Sequence, residues 1–333
     1  MFALLTPKWI TPSNNSRKTN RQTDVKLALT GAGQEAQANL YTYDLGRANG
    51  VDRMGKYDRP DSLSRALALL DAGPRVILAG GTDIYPATLS QSLAGPVLDI
   101  TGIDDLREIA IGPREVRIGA CVTWSDIAEA KLPLACKALQ MAAREVGGRQ
   151  IQNAGTIAGN LCNASPAADG VPPLLMLNAQ VELVSSRSSR RLALSDFITG
   201  PRRTSRVADE LLTAVILPQA SLTGCSTFLK LGARAYLVIS IAAVAVRLAT
   251  REGVIADAAV AVGSCGPVAT RLLAVEEALV GLKPAEAAAF VTDKDVFAAL
   301  RPIDDIRATA DYRREAAANL VRRALSSLAE TAA

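Results

Sequence analysis

The chain has 333 residues, 49% of them apolar and 21% charged, with a net charge of +4 and no histidine. That composition belongs to a globular protein with core enough for two or three domains, and no run approaches the roughly 20 uncharged apolar residues of a membrane span. Without an imidazole, Ser-His-Asp and Cys-His catalysis and histidine metal ligation are excluded, and any redox reaction must take its chemistry from a cofactor.

Residues 1–53 read differently from the rest. PSNNSRKTNRQT and GAGQEAQANL are polar and lack sustained periodicity. Seven basic residues face four acidic ones in this segment, so the remainder carries only +1 of the net +4. The folded part therefore gives no case for a nucleic-acid patch. Residues 1–53 are expected to be a disordered or non-native extension, with Met54 a candidate start. MFALLTPKWITP lacks the basic region and apolar length of a secretory signal, and its two prolines spoil the amphipathic helix of a transit peptide. The five cysteines, Cys121, Cys136, Cys162, Cys225 and Cys265, are scattered without a CxxC pair. This suits reduced thiols of a cytoplasmic protein and gives no local support for zinc or an iron–sulfur cluster. Each is expected to be buried and inert.

From Tyr57 onward the pattern tightens. RPDSLSRALALLDAG predicts a helix capped at Asp61 or Ser62, with an apolar face at Leu63, Ala66, Leu67 and Leu70 and a stop at Gly73. RVILA predicts a short strand ended by GGTD, VLDI another, and EVRIGACVT a half-buried strand alternating at Val116, Ile118 and Ala120. KLPLACKALQMAAREVGG predicts a helix ending at Gly147–Gly148. QNAGTIAGNLCNASPAAD, Gln152 to Asp169, has almost no large apolar side chain and is expected to be a loop over which a ligand comes close to the backbone. The apolar VPPLLMLNAQVELV follows it. Strands are predicted in AQVELVSS, RRLALSDF and LLTAVILP, and long ones in STFLKLGARAYLVISIAAVAVRLA and GVIADAAVAVGSCGP. RLLAVEEALVG and REAAANLVRRALSSLAE predict amphipathic helices. The fold class is α+β.

In ILAGGTDIYP the paired glycines after a strand can turn successive N–H groups toward an anion, with Thr82 adding a hydroxyl. The arrangement is neither GxGxxG nor a GxxxxGK[ST] loop. GTIAGN repeats the offer downstream, and two such turns on separate elements would suit a clamped pyrophosphate; two unrelated turns are the plainer alternative.

AGGTDI at 79–84, TIAGNLCNASPAAD at 156–169 and LKLGARA at 229–235, with GSCGPVATR beyond them, resemble the FAD-binding subunits of the molybdenum hydroxylases. Xanthine dehydrogenase and the medium subunit of carbon monoxide dehydrogenase are members. The resemblance runs from about Met54 to the C-terminus. It implies a two-subdomain FAD-binding domain of the vanillyl-alcohol-oxidase (PCMH-like) type over 54–220, with subdomains at about 54–112 and 113–220. A C-terminal α+β domain with a small antiparallel sheet would fill 224–333. Cofactor contacts are implied for Leu78, Ala79, Gly80, Gly81, Thr82, Asp83 and Ile84, whose amides would wrap the FAD phosphates. Thr156, Gly159 and Asn160 would hold the pyrophosphate from the other side. Asp169 would bond an FAD hydroxyl or ring-side group, Leu212 is a further implied cofactor contact, and Lys230 would sit near the flavin ring and favour negative charge on the reduced form. The resemblance further implies a relay of electrons from 2Fe–2S clusters on a small partner subunit to NAD, oxygen or another acceptor, with molybdopterin on a large subunit.

The sequence departs from the family's pattern in two places. Ala158 stands where the family usually has glycine, which is tolerable only at negative φ, and Gln152 stands where arginine is common. Two rival functions remain open: a self-contained flavin oxidase or reductase, and a flavin-free scaffold subunit.

Overall fold

Strands Tyr57–Asp58, Val97–Asp99 and Val76–Leu78 form a parallel three-stranded sheet in that order in the computed structural model of the protein. The structure describes residues 56–88, 93 and 95–332. The extension expected over 1–53, and Met54, lie outside them. The helix Leu63–Asp71 buries Ala66, Leu67 and Leu70, as its spacing predicts, although Ser62 at its N-cap makes no capping bond.

A five-stranded antiparallel sheet follows, ordered Ile109–Ile111, Glu115–Gly119, Leu211–Pro218, Gln180–Val184 and Ser189–Ala193. Val116, Ile118, Val181, Leu183 and Val215 are fully buried. Over the neighbouring positions lies a lattice of charges: Arg117 to Glu182 at 2.9 Å and Arg191 to Glu115 at 2.8 Å. Such pairs contribute up to about 1 kcal/mol each. RRLALSDF is only half strand; from Leu194 to Phe197 it turns helical. The helix predicted from Lys131 onward is regular only over Lys137–Glu145, behind a 3-10 turn at Leu134–Cys136, and Gly147 ends the segment at φ 54°.

The stretch Gln152–Asp169 is not the expected loop. Arg149–Ala154 and Ile157–Asn163 are helices, and Val171–Met176 forms a third. Its small residues serve close packing: Ile157, Ala158 and Leu161 are buried in the same core as Ala120 and Trp124. Small side chains let a helix sink into a core as readily as they let a loop approach a ligand, and composition alone does not separate the two. Ala158 sits inside this helix and not among the positive-φ residues, so its methyl is accommodated.

The C-terminal sheet is antiparallel, ordered Cys225–Leu231, Ala242–Arg251, Val254–Gly263 and Thr270–Arg271. The predicted long run STFLKLGARAYLVISIAAVAVRLA is thus two strands separated by residues 232–241. Glu252 and Gly253, at φ 53° and 80°, make the tight turn of the central hairpin, the geometry that suits strand twist. Both faces of this sheet are buried. Ala243, Ala245, Ala259 and Ala261 face the core of the preceding domain, while Val244 and Val246 on the other face meet the helix Ala310–Ala332 and Val260 and Val262 meet the helix Leu273–Leu279. Alternating alanine and valine therefore records two different neighbours. Among the described residues no helix is long and apolar enough to cross a membrane, and no cluster of Cys, Asp and Glu could hold a metal ion.

Candidate functional site

The turn after Val76–Leu78 is built around glycine. Gly81 has φ 70°, and a Cβ on Gly80 would fall 1.9 Å from the carbonyl oxygen of Ala154. Only a bare α-carbon lets this turn press against the Ala154–Gly155 backbone. The N–H groups of Gly80, Gly81, Thr82 and Asp83 have no protein acceptor among the described residues. Successive free amides in such a turn form an anion-binding concavity. Leu78 is buried below them, Ala79 packs on the same core, and Ile84 begins the short helix Ile84–Ala87.

The two glycine-bearing segments meet. A Cβ on Gly155 would lie 3.4 Å from both Thr82 Oγ1 and Trp124 Cδ1. Beyond Gly155 the first-turn amides of the helix Ile157–Asn163 are all spent. Ile157 donates to the Val122 carbonyl, Ala158 to Ala120, Asn160 to the Thr156 carbonyl, and Gly159 to Thr156 Oγ1 at 3.1 Å. Thr156 is thus the helix cap and Gly159 its partner, which leaves neither the Thr156 hydroxyl oxygen nor the Gly159 N–H idle. What the helix offers a ligand is Asn160, whose Oδ1 is buried without a partner. Gln152, where arginine was noted as common, is also structural: its amide donates to the Arg144 carbonyl at 2.8 Å.

A third cluster joins the two domains. Lys230 Nζ lies 2.6 Å from Asp169 Oδ2, and the side chains are only 7% and 9% exposed respectively. Lys230 also donates to the Glu145 carbonyl at 3.1 Å, and Ser240 Oγ donates to Asp169 Oδ1 at 2.5 Å. Burial pushes the Asp169 carboxyl above its usual range, opposed by Lys230 and by the Lys230 and Ser240 hydrogen bonds. Lys230 is therefore not the free cation that its family position suggests; it is half of a buried pair. The pair borders a cleft of about 460 Å³ lined by Met141, Arg144, Glu145, Phe228, Lys230 and Arg234. A Cβ on Gly170, the residue after Asp169, would stand 3.2 Å from Asn160 Oδ1, tying this cluster to the helix. Leu212 is buried within the five-stranded sheet opposite Leu183.

Ser240 and Glu145 carry no sequence signal. Trp124 does, as the one tryptophan among the described residues. Cys121, Cys136 and Cys265 are buried with thiols pushed up to about 12 by burial. Cys162 departs from the expectation of burial and is exposed, and Cys225 is half-buried.

The family described as "FAD binding domain in molybdopterin dehydrogenase" matches residues 52–220, half of the chain. The chain belongs to this family. A second match, "CO dehydrogenase flavoprotein C-terminal domain", covers residues 227–328. The glyceraldehyde dehydrogenase medium chain of Sulfolobus acidocaldarius is 30% identical over 82% of this chain and 98% of its own. The nicotinate dehydrogenase FAD-subunit of Eubacterium barkeri is 37% identical over 55% of this chain and 64% of its own, so the match spans just under two thirds of that relative. Among solved structures, a carbon monoxide dehydrogenase from Hydrogenophaga pseudoflava that lacks the Mo-pyranopterin moiety of its cofactor is similar at TM-score 0.74 and 28% identity. It covers 82% of this chain and 96% of that one. Reconstituted CO dehydrogenase from Oligotropha carboxidovorans is similar at TM-score 0.75 and 26% identity, over 84% and 99% of the two chains.

The residues present fit the FAD of this family. A turn of free amides suits phosphate oxygens, the orphaned Asn160 oxygen suits a hydroxyl donor, and the buried Asp169–Lys230 pair stands beside an open cleft.

Proposed function

We propose that this chain is the electron-relay subunit of a molybdenum hydroxylase or dehydrogenase. It receives electrons from 2Fe–2S clusters on a small partner subunit and delivers them to NAD, oxygen or another acceptor, while a large partner subunit carries molybdopterin and the substrate. The observation that supports it best is the junction of the free-amide turn Gly80–Asp83 with the segment holding Asn160. Bound FAD supplies the reversible one- and two-electron chemistry that the relay needs.

In this reading the chain's own residues position and tune. The amides of Gly80 to Asp83 take phosphate oxygens without a compensating lysine. Asn160 fixes orientation from the facing helix. Asp169 and Lys230 sit at the domain junction as a near-neutral pair, so a change at either member shifts the local field more than a surface charge would. Relay work asks for placement and potential rather than a protein base, which is why a chain without histidine suffices.

The purified chain should show a flavin spectrum, or acquire one on adding FAD. Substrate should reduce that flavin only when the large and small subunits are present. A chain that stays colourless with added FAD refutes the cofactor, and one that turns over substrate alone refutes the relay.

A further inference from the structure

Trp124 is the first residue of the helix Trp124–Glu129 and is 1% exposed; its indole N–H has no protein acceptor among the described residues and is not one of the fully buried unpartnered atoms, so the little of the ring that stays accessible includes it. An indole N–H that keeps access on an otherwise buried ring is a donor open to an oxygen from outside the chain. The position of this one follows from its neighbours. The Cδ1 atom, bonded to Nε1, stands 3.4 Å from the point where a Gly155 Cβ would be, and Thr82 Oγ1 stands 3.4 Å from the same point. At the other side of Nε1, Cζ2 and Cη2 lie 3.0 and 2.3 Å from the corresponding point on Gly170, from which Asn160 Oδ1 is 3.2 Å away. The indole edge carrying the N–H therefore runs between Gly155 and Gly170. Thr82 Oγ1 and the unpartnered Asn160 oxygen lie beside the two ends of that edge. The missing side chains of Gly155 and Gly170 are what let the ring lie there.

The ring is also held. The Trp124 N–H of the backbone donates to the Gly155 carbonyl at 3.1 Å, and Thr123 caps the helix while bridging Thr156. A donor fixed at both ends and left unpaired is pre-organised for an acceptor supplied from outside the chain.

We propose that Trp124 is a further FAD-binding residue of this chain, donating its indole N–H to an oxygen of the bound cofactor beside Asn160. This rests on the FAD-subunit reading above and adds a specific donor to it.

The test uses full-length protein freed of flavin, labelled with ¹⁵N at its indoles, with Trp9, the other tryptophan, replaced by phenylalanine so that the remaining signal is Trp124. FAD addition is expected to move the indole N–H resonance downfield and slow its exchange with deuterated solvent. In parallel, Trp124→Phe is expected to weaken FAD binding about tenfold by flavin fluorescence titration. If FAD binds and the indole signal neither moves nor gains protection, the proposal is overturned while the FAD-subunit reading stands. If no FAD binds at all, that reading falls and the proposal with it. Because the spectroscopic arm keeps the tryptophan, a Trp124→Phe chain that folds poorly does not shelter the idea.

Discussion

Replacing Lys230 by methionine keeps the volume of the side chain and strands the Asp169 carboxylate inside the protein. With side-chain exposures of 7% and 9%, this is a buried ion pair, and removing one partner of such a pair costs about 3–5 kcal/mol. Asp169→Asn strands the ammonium instead, relieved in part by the Glu145 carbonyl. The double variant leaves no uncompensated charge and should cost far less than the sum, giving a coupling of about 2 kcal/mol or more. Urea unfolding of the flavin-free chain measures all four corners. The pH dependence has a definite sign. Burial raises the Asp169 carboxyl in the fold, so the folded state holds that proton more tightly than the unfolded chain, whose carboxyl titrates near 4. The contribution of Asp169 is thus present below about pH 4 and is lost as pH rises through the raised folded value. Lys230→Met removes the opposing cation, so its loss of stability on raising the pH should be steeper than in the parent chain. Asp169→Asn should abolish the slope. Additive single variants, or a flat pH response in Lys230→Met, would refute the account of this pair.

Three further outcomes follow from the geometry. Gly80→Ala places a methyl 1.9 Å from the Ala154 carbonyl oxygen; the turn must shift, and FAD affinity by fluorescence titration should fall at least about tenfold while far-UV CD is retained. Ala158→Gly restores the residue the family usually carries, yet by removing a buried methyl from the helix's first turn it should cost roughly 1 kcal/mol in urea unfolding and bring no gain in FAD affinity. Asp305 works against its own burial, but amides of Arg307 and Ala308 and the Arg313 guanidinium hold it down at about 2. Its stabilisation is present above about pH 4 and lost as pH falls through about 2, so Asp305→Asn should flatten the acid limb of the unfolding curve and leave the buried Arg313 under-compensated, at about 3 kcal/mol.

Much of the architecture was legible because periodicity reports burial directly. Val116 and Ile118 alternate in a half-buried strand, and Ala66, Leu67 and Leu70 mark one helix face. The α+β class and the resemblance to flavin subunits followed from such patterns and from three ordered motifs. Gln152–Asp169 misled because alanine, glycine and asparagine are ambiguous: their small size suits a ligand-hugging loop and a deeply packed helix alike, and only the capping threonine hints at the second. The site was legible by residue type and not by role. Nothing in the sequence shows that Thr156 turns its hydroxyl to Gly159, or that Lys230 finds Asp169 across 61 residues. The first is a local cap visible only once the helix is recognised, and the second depends on how the domains dock, which local pattern does not encode. Trp124 lies outside the glycine motifs that drew attention to the site, and its nearness to Gly155 and Gly170 shows only in the fold.

The alanine-and-valine sheet has a consequence for how such chains can be recombined. The first half of the molecule cannot close its own core, since Ala243 and Ala245 of the C-terminal sheet complete it, while Val244 and Val246 on the other face complete an interior drawn wholly from the C-terminal half. A hybrid joining the first half of one relative to the last hundred residues of another would need to match methyl for methyl across that shared layer. Exchange of the whole chain between assemblies meets no such demand. The two matched regions, separately recognisable in sequence, are thus physically one body in this chain.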